Sequence, residues 1–512
     1  MTTVIDRLYF GRDEAELDAT AEGLLRVGFL RTDAYEAAAS GRKRLIIGRK
    51  GAGKSAICTM IHANVPASCV ITPDDTSGHE ARAFHLDGVT AAKAKEAVWR
   101  YVIAVQLAKY LVTHARDEHG EIPEPVDALR RFLAANGEAV DFRLHEKLWK
   151  VAKRLKSSLA LEAFGAKVAL EVGGPSEGIE AINRLEVVED GVTAAIGVLK
   201  CPAAHGALVL IDQIESVWNN DSESDDVVTG LLMAAKQVPQ RFPGVRCCVF
   251  LRTDIYDQLQ FTERDKLRGE EMRIDWTPWA LHDLLVQRIR ASLAAGLPAE
   301  QLWDAVFEEG VGTDLVRRTL QRPRDVIQLA NRCRDVAAQY DHIRIAPQDV
   351  SEALELFSAW KLQDLSDEYH VNYPFLPRVL STFEDSGYLI SRDRLTEQLE
   401  PVLECARDDF PAHARYLDVA AMIEILFGIG FLGTGSPWAP MYCYDRGARV
   451  KPSATAFMIH PCFRPALRAT APDSAVELEP EYLRRRALRR NLAATNVFGG
   501  IDTGVGRVHR ED

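Results

Sequence analysis

Long apolar runs are missing from this chain. No stretch approaches the roughly 18 uninterrupted apolar residues that a membrane span needs, and the opening MTTVIDRLYFGRDEAELD has no apolar signal core. The expectation is a cytoplasmic protein with no membrane partner. Metal-ligand spacing is missing too: the nine cysteines are scattered, with no Cys-x-x-Cys and no Cys/His cluster at zinc spacing. Cys247 and Cys248 are adjacent on an expected strand, so they point to opposite faces and suit packing better than chemistry. Positive charge is in the minority, 62 Lys and Arg against 74 Asp and Glu, for a net charge of −12. Such a body repels nucleic acid, and any contact with it has to come from a local basic patch.

What is present is ordinary globular material, 47% hydrophobic and 27% charged over 512 residues, which suggests about three domains. The most specific feature is LIIGRKGAGKS, from Leu45 to Ser55. Leu45, Ile46 and Ile47 form an apolar run suited to a buried strand, and SAICTMIHANV has helical spacing. Between them lies Gly-x-x-x-x-Gly-Lys-Ser, whose glycines let backbone N–H groups curl around a polyphosphate. The expected nucleotide-binding set is Gly48, Arg49, Lys50, Gly51, Ala52, Gly53, Lys54, Ser55 and Ala56. Within it Lys54 supplies positive charge to the β- and γ-phosphates, and the Ser55 hydroxyl is a magnesium ligand. ATP and Mg2+ are the expected cofactors.

A second informative segment is ALVLIDQIESVW, Ala207 to Trp218. Its apolar run fits a central strand of a parallel sheet, buried on both faces. Asp212 at the carboxyl end lies where ligands bind in open α/β sheets and is the expected second magnesium-holding residue. Glu215, three residues on, is close enough to polarise an attacking water. RCCVFLRTDIYDQL supplies another strand ending in Arg252, with two readings: a γ-phosphate sensor, or a salt bridge to Asp254 or Asp257. In QRPRD, Pro323 suits a first helical turn. Arg322 and Arg324 flank it, in position either to reach the nucleotide or to serve structure alone.

Elsewhere, residues 12–40 read as a helical lead-in with Leu17, Ala21, Leu24 and Leu25 as its stripe; Phe29 and Tyr35 read as core, with packing on the nucleotide base as the alternative. ASCVITP reads as a strand and Ala91 to His114 as a long helix. Residues 118–200 read as an insertion of basic-faced helices, with a hairpin near Gly165 and a partner-binding surface as one use. In the C-terminal third, helices precede two strands, MYCYDRGARVKP and ATAFMIHPCF, expected to pair as a hairpin with Arg446, Arg449 and Lys451 at its turn. A basic run, Arg484, Arg485, Arg486, Arg489 and Arg490, precedes a Gly-rich tail.

GRKGAGKS, LIDQIESVW, FLRTDIYDQLQF and QRPRD together resemble the AAA+ and STAND ATPases of bacteria. More narrowly, the chain is similar to the free-standing ATPases with a C-terminal winged helix that are relatives of origin-recognition ATPases. The resemblance covers roughly residues 1–470 and implies an α/β fold: a parallel-sheet P-loop core over 1–290, containing the insertion at 118–200. A helical lid (291–360), a winged-helix-like domain (361–470) and a basic tail (471–512) would follow. It also implies Asp212 and Glu215 as magnesium and hydrolysis acids, Arg252 as sensor 1, and Arg322 or Arg324 as sensor 2. Glu215 stands where such strands often carry aspartate, and Gln213 replaces an adjacent glutamate, which makes a slow switch more plausible than a fast hydrolase. Two functions follow: an ATP-dependent switch acting on an effector protein, or a DNA-binding regulator with a mainly structural nucleotide, either compatible with a homo-oligomer. No guanine-reading N/T-K-x-D and no LSGGQ segment is present, which disfavours a GTPase and an ABC transporter ATPase. A small-molecule kinase would need an acceptor-binding motif that is not visible.

Overall fold

The computed structural model describes residues 3–471, except 21–22, 74–81, 119–121, 139–154, 156–158, 166–175, 200–205, 262, 294–295 and 437–438. Five strands form a parallel sheet in the order β2-β3-β4-β1-β5: β1 (Leu45–Gly48), β2 (Ser68–Ile71), β3 (Leu208–Ile211), β4 (Arg246–Arg252) and β5 (Glu271–Arg273). Alternation along each strand distributes its residues between two apolar clusters. Leu45, Ile47, Val209, Ile211, Cys247, Val249 and Leu251 join one face, whereas Ile46, Leu208, Leu210, Cys248 and Phe250 join the other. Both faces are therefore buried, as expected for continuous apolar runs in a parallel sheet, and the two adjacent cysteines do part to opposite sides.

Helix α1 (Lys54–Asn64) follows β1, and α2 (Ala91–Glu118) packs with α3 (Glu124–Ala135), α4 (Glu177–Val198) and α5 (Ser222–Arg241) on the first face. Near Gly165 the described chain holds a short 3-10 turn, Glu162–Phe164, ending at Gly165 with φ +73°. This turn stands where the first arm of the hairpin expected over SLALEAFGAKVALEV would run, so that arm is not a strand; the second arm, and most of the HEKLWKVAKRLKSS helix, lie outside the described residues.

The lead-in at 12–40 is not one helix. It breaks into Ala15–Asp18 and Asp33–Ala39, because the Asp18 carboxylate accepts from the Arg12 and Leu24 N–H groups (2.7 and 3.0 Å) and curls the chain around itself. Leu17 is consequently exposed rather than part of a stripe.

From residue 278 onward the chain builds a second apolar core. It contains α6 (Pro278–Leu293), α7 (Pro323–Gln339), α8 (Pro347–Glu368), α9 (Leu376–Ser381), α10 (Arg392–Asp409) and α11 (Val419–Gly428). An antiparallel sheet of order β6-β9-β7-β8 belongs to it: β6 (Leu389–Ser391), β7 (Leu432–Ser436), β8 (Ala439–Met441) and β9 (Ala456–Ile459). Ile5, Leu8 and Phe10 from the start of the chain are buried in the same core. The expected pairing of MYCYDRGARVKP with ATAFMIHPCF does not form. β8 ends at Met441 and pairs with β7, while β9 pairs with β7 and β6. Residues 442–454 instead run through successive turns closed by Asp445→Tyr442, Ala448→Asp445 and Ala454→Lys451 backbone hydrogen bonds, which occupy groups a ladder would need. Arg446, Arg449 and Lys451 are exposed on this turn segment, not at a hairpin tip.

Among the described residues, no helix is long and apolar enough to cross a membrane. The basic run at 484–490 lies outside the described residues.

Candidate nucleotide site

The phosphate loop leaves β1 at Gly48 and enters α1 at Lys54. Gly51 (φ +76°) and Gly53 (φ +94°) adopt the left-handed conformation that makes the curl, and Gly53 is the N-cap of α1. Ala52 is buried, and its carbonyl accepts from the indole N–H of Trp276 at 2.9 Å. The loop thus ends at a helix N-terminus, where aligned amides favour an anion. Lys54 is buried, with Nζ donating to the carbonyls of Gly48 (3.1 Å) and Arg49 (3.2 Å). Burial lowers its pKa, against the opposing pull of Glu215 and Asp212.

β4 lies between β1 and β3, so the acid strand ends one strand away from the phosphate loop. Asp212 is 4% exposed and accepts a hydrogen bond from the Ser55 side chain. Burial and the neighbouring Glu215 push its carboxyl up to about 6, with Ser55, Lys54 and the Gln213 N–H pulling the other way. Glu215 sits on the 3-10 turn Ile214–Val217, and its Oε2 is buried with no hydrogen-bond partner. The donors fit magnesium: a hydroxyl and a carboxylate are hard oxygen ligands, and the unpartnered carboxylate oxygen next to them suits a metal-bound or attacking water. Ser55 and Asp212 would hold the ion.

Gln213, in the place where an adjacent glutamate was considered, has φ +62° and donates from Nε2 to Glu16 Oε1 at 2.8 Å. Its side chain is thereby engaged by the N-terminal segment. Arg252 makes two bonds to Asp254, Nε to Oδ1 at 3.0 Å and Nη2 to Oδ2 at 2.7 Å, so of its two readings the salt bridge is the one formed here. Arg322 is buried: Nε donates to Asp325 at 2.9 Å, and Nη1 to the Lys50 carbonyl (3.1 Å) and Glu368 (3.2 Å). It grips the outside of the loop. Arg324 lies nearer the cavity; its N–H donates to the Gly51 carbonyl (3.4 Å) and its Nε to the Asp13 carbonyl (3.3 Å).

Beside the loop a cavity opens between the N-terminal segment and α6 and α7, with Phe29, Leu30, Thr32, Trp276, Leu284 and Ile327 among its walls, and Lys54 and Ser55 line it too. Apolar side chains line it together with charged ones, Arg12, Asp13, Glu16, Asp18, Arg288 and Arg324, the mixed lining of a small-molecule site. Phe29 lines it, whereas Tyr35 is buried in the sheet-side core with its OH accepting from Asn64. Sequence reasoning missed Trp276, Leu284, Ile327 and the buried Asp18–Arg288 pair. A signal for the last existed: Arg288 interrupts the apolar face Leu281, Leu284, Leu285, Ile289, and a charge on such a face needs a buried partner.

The fold is α/β: a parallel five-stranded sheet whose β1 runs through the glycine loop into α1. A family model for the FunZ-associated C-terminal helical domain matches residues 280–366. Over 504 residues the chain is 22% identical to the putative transposon gamma-delta 80.3 kDa protein of Escherichia coli (strain K12), spanning 91% of this chain and 69% of that protein. Among solved structures, the Walker-type ATPase PABY2304 of Pyrococcus abyssi is 10% identical with a TM-score of 0.37, over 86% of this chain and 96% of that one. The Aeropyrum pernix ORC1 protein in complex with DNA is 14% identical with a TM-score of 0.34, over 85% and 89%. The Thermotoga maritima RuvB Holliday junction branch migration motor is 12% identical at 0.34, over 88% and 100%. At such scores the site rests on its own geometry.

That geometry carries a stability consequence. A carboxyl raised from 3.8 to about 6 by folding holds its proton more tightly in the folded state. The fold therefore pays nothing below about pH 4, is penalised progressively between pH 4 and 6, and carries the full penalty above, at most roughly 3 kcal/mol. Asp212→Asn is expected to raise the melting temperature of the nucleotide-free protein at pH 7–8 and to leave it unchanged near pH 4, while magnesium-dependent nucleotide affinity is lost. Equal melting shifts at both pH values would show that Asp212 is not under that strain.

Proposed function

We propose that this chain is an ATP-binding, slowly hydrolysing molecular switch of the AAA+/STAND type that couples nucleotide state to a C-terminal winged-helix domain. The observation that carries the reading is a phosphate loop whose buried Lys54 feels Asp212 and Glu215, with Ser55 hydrogen-bonded to Asp212, Glu215 Oε2 unpartnered, and Lys54 and Ser55 lining a cavity. In this reading the Lys54 ammonium leaves the Gly48 and Arg49 carbonyls for phosphate oxygens, and Glu215 Oε2 takes a proton from the attacking water. Magnesium, when bound, would neutralise charge on the phosphates. Arg324 faces the pocket and is the better placed of the two lid arginines to meet the nucleotide; Arg322 holds the loop from outside. Gln213, directly after Asp212, is an amide engaged by Glu16 and cannot act as a base there, which supports slow turnover. Residues 376–459 run helix, strand, helix, helix and then three strands, which supports the winged-helix reading. A calorimetric titration of the folded chain with magnesium-ATP tests the proposal: saturable one-to-one binding is expected, and its absence refutes it.

One observation favours DNA as a partner. Arg446, Arg449 and Lys451 are exposed, and among the described residues none of their side chains takes part in an ion pair. Each phosphate neutralised adds about 0.9 to the magnitude of the log–log salt slope on duplex DNA, so neutralising all three is expected to lower it by about 3. No binding at low salt by the ATP-loaded protein would leave the C-terminal domain as a protein-contact module.

A further inference from the structure

The phosphate loop is held from outside at three consecutive residues. The Arg49 guanidinium donates from Nη2 to the carbonyls of Leu320 (2.7 Å) and Gln321 (3.4 Å). The Lys50 carbonyl accepts from Arg322 Nη1 at 3.1 Å, and the Gly51 carbonyl from the Arg324 N–H at 3.4 Å. Gln321 has φ +50°, a conformation that a residue with a side chain keeps only where its surroundings demand it. Most of the grip comes from the turn entering α7. One contact comes from much further along the chain: the Arg49 guanidinium lies over the Tyr444 ring, 5.0 Å from its centroid.

Tyr444 is itself firmly placed. Its ring stacks on Tyr442 at 5.6 Å, and its hydroxyl is 2.7 Å from Nε2 of the fully buried His460. His460 Nδ1 accepts from the Cys462 N–H at 3.0 Å, so in the neutral ring Nε2 carries the hydrogen and donates to Tyr444. Burial keeps that ring neutral by lowering its pKa to about 3. A rigid aromatic face from the C-terminal unit thus sits on the second residue of the phosphate loop. Arg49 links both sides of this junction, because its own carbonyl accepts from Lys54 Nζ.

We propose that Arg49 and Tyr444 form the contact through which the C-terminal unit holds the phosphate loop in its anion-cradling shape, which makes Tyr444 a positioning residue for nucleotide binding. The inference rests on the nucleotide-binding reading above and names where the coupling runs. Preorganisation by the contact favours the bound loop, and by linkage bound nucleotide stabilises the contact in return.

Magnesium-ATP affinity of the full chain is measured for Tyr444→Leu, Arg49→Ala and the double variant, with thermal melts as a check on folding. Each single change is expected to weaken binding about tenfold, in keeping with a desolvated cation–π contact. The double variant should be no more than about twofold worse than Arg49→Ala alone, because the pair acts as a unit. Tyr444→Phe, which keeps the ring, restores most of the affinity. If Arg49→Ala does not fold, the Leu and Phe variants at 444 still decide. Hydrogen exchange gives a second readout: amides 442–446 slow when magnesium-ATP is added to the parent, and do not in Tyr444→Leu. Roughly hundredfold loss in the double variant, or exchange at 442–446 that ignores bound nucleotide in the parent, overturns the coupling while leaving nucleotide binding intact. A folded parent that binds no nucleotide overturns the underlying reading instead, and the coupling with it.

Discussion

Lys54→Ala is expected to remove tight ATP binding, by about 100-fold or more, while the protein stays folded. The buried Lys54 ammonium lies against the loop's own carbonyls, and a phosphate would meet it away from bulk water, where a charge–charge contact is far stronger than on an exposed surface. The loss to the fold is smaller. The two carbonyls that Lys54 engages belong to the loop, next to the pocket, where water can replace a missing donor. Removing a buried ammonium also relieves its own desolvation, partly offset by the loss of a counter-charge for Asp212 and Glu215. Calorimetry beside a thermal melt checks both halves. Parent-like affinity in a folded Lys54→Ala protein would place the nucleotide site elsewhere.

Glu215→Gln is expected to keep ATP bound and to slow its turnover about 10²-fold or more. The substitution preserves shape but removes the negative charge and with it the ability to accept a proton, which also relieves the push that Glu215 exerts on Asp212. Because Oε2 has no partner in the nucleotide-free protein, the amide breaks no hydrogen bond at that atom. Asp212 and Ser55 remain to hold magnesium, so affinity and rate should separate. Single-turnover hydrolysis measured from a preformed ATP complex is the clean assay, since it does not depend on product release. A parent-like rate would move the base to another loop or another subunit. Gln213→Glu is the informative companion: its side chain is turned to Glu16, so a carboxylate there meets another carboxylate before it meets the phosphates.

The parts of the site that could be read directly are those built from contiguous residues. Gly48 to Ser55 were legible because two left-handed glycines and the following helix start give the loop its local turn, to which distant chain adds the contacts at Arg49, Lys50 and Gly51. Asp212 was legible for a related reason: an unbroken apolar run marks a strand buried on both faces, and the residue just past it lies at the carboxyl ends of the sheet. Arg252 illustrates the limit. Both of its readings were open in sequence, and the partner two residues on, Asp254, takes both of its hydrogen bonds in the structure. The C-terminal strands failed differently. β6, β7 and β9 are three to five residues long, and so short a strand carries too little alternation to name its partner.

By itself, then, the sequence determined a parallel α/β core with a phosphate loop, a buried strand ending in an acid, and a helix that begins with Pro323 in its first turn. These follow from local periodicity and from residues within a few positions of each other. The tertiary structure alone decided that Arg322 grips the Lys50 carbonyl, that Gln213 is held by Glu16, and that Tyr444 lies on Arg49. Those contacts join segments about 200 to 400 residues apart, and no local propensity encodes them. They exist because two separate apolar cores, one around the sheet and one around α6 to α11, are each buried, and their polar surfaces then meet at the phosphate loop.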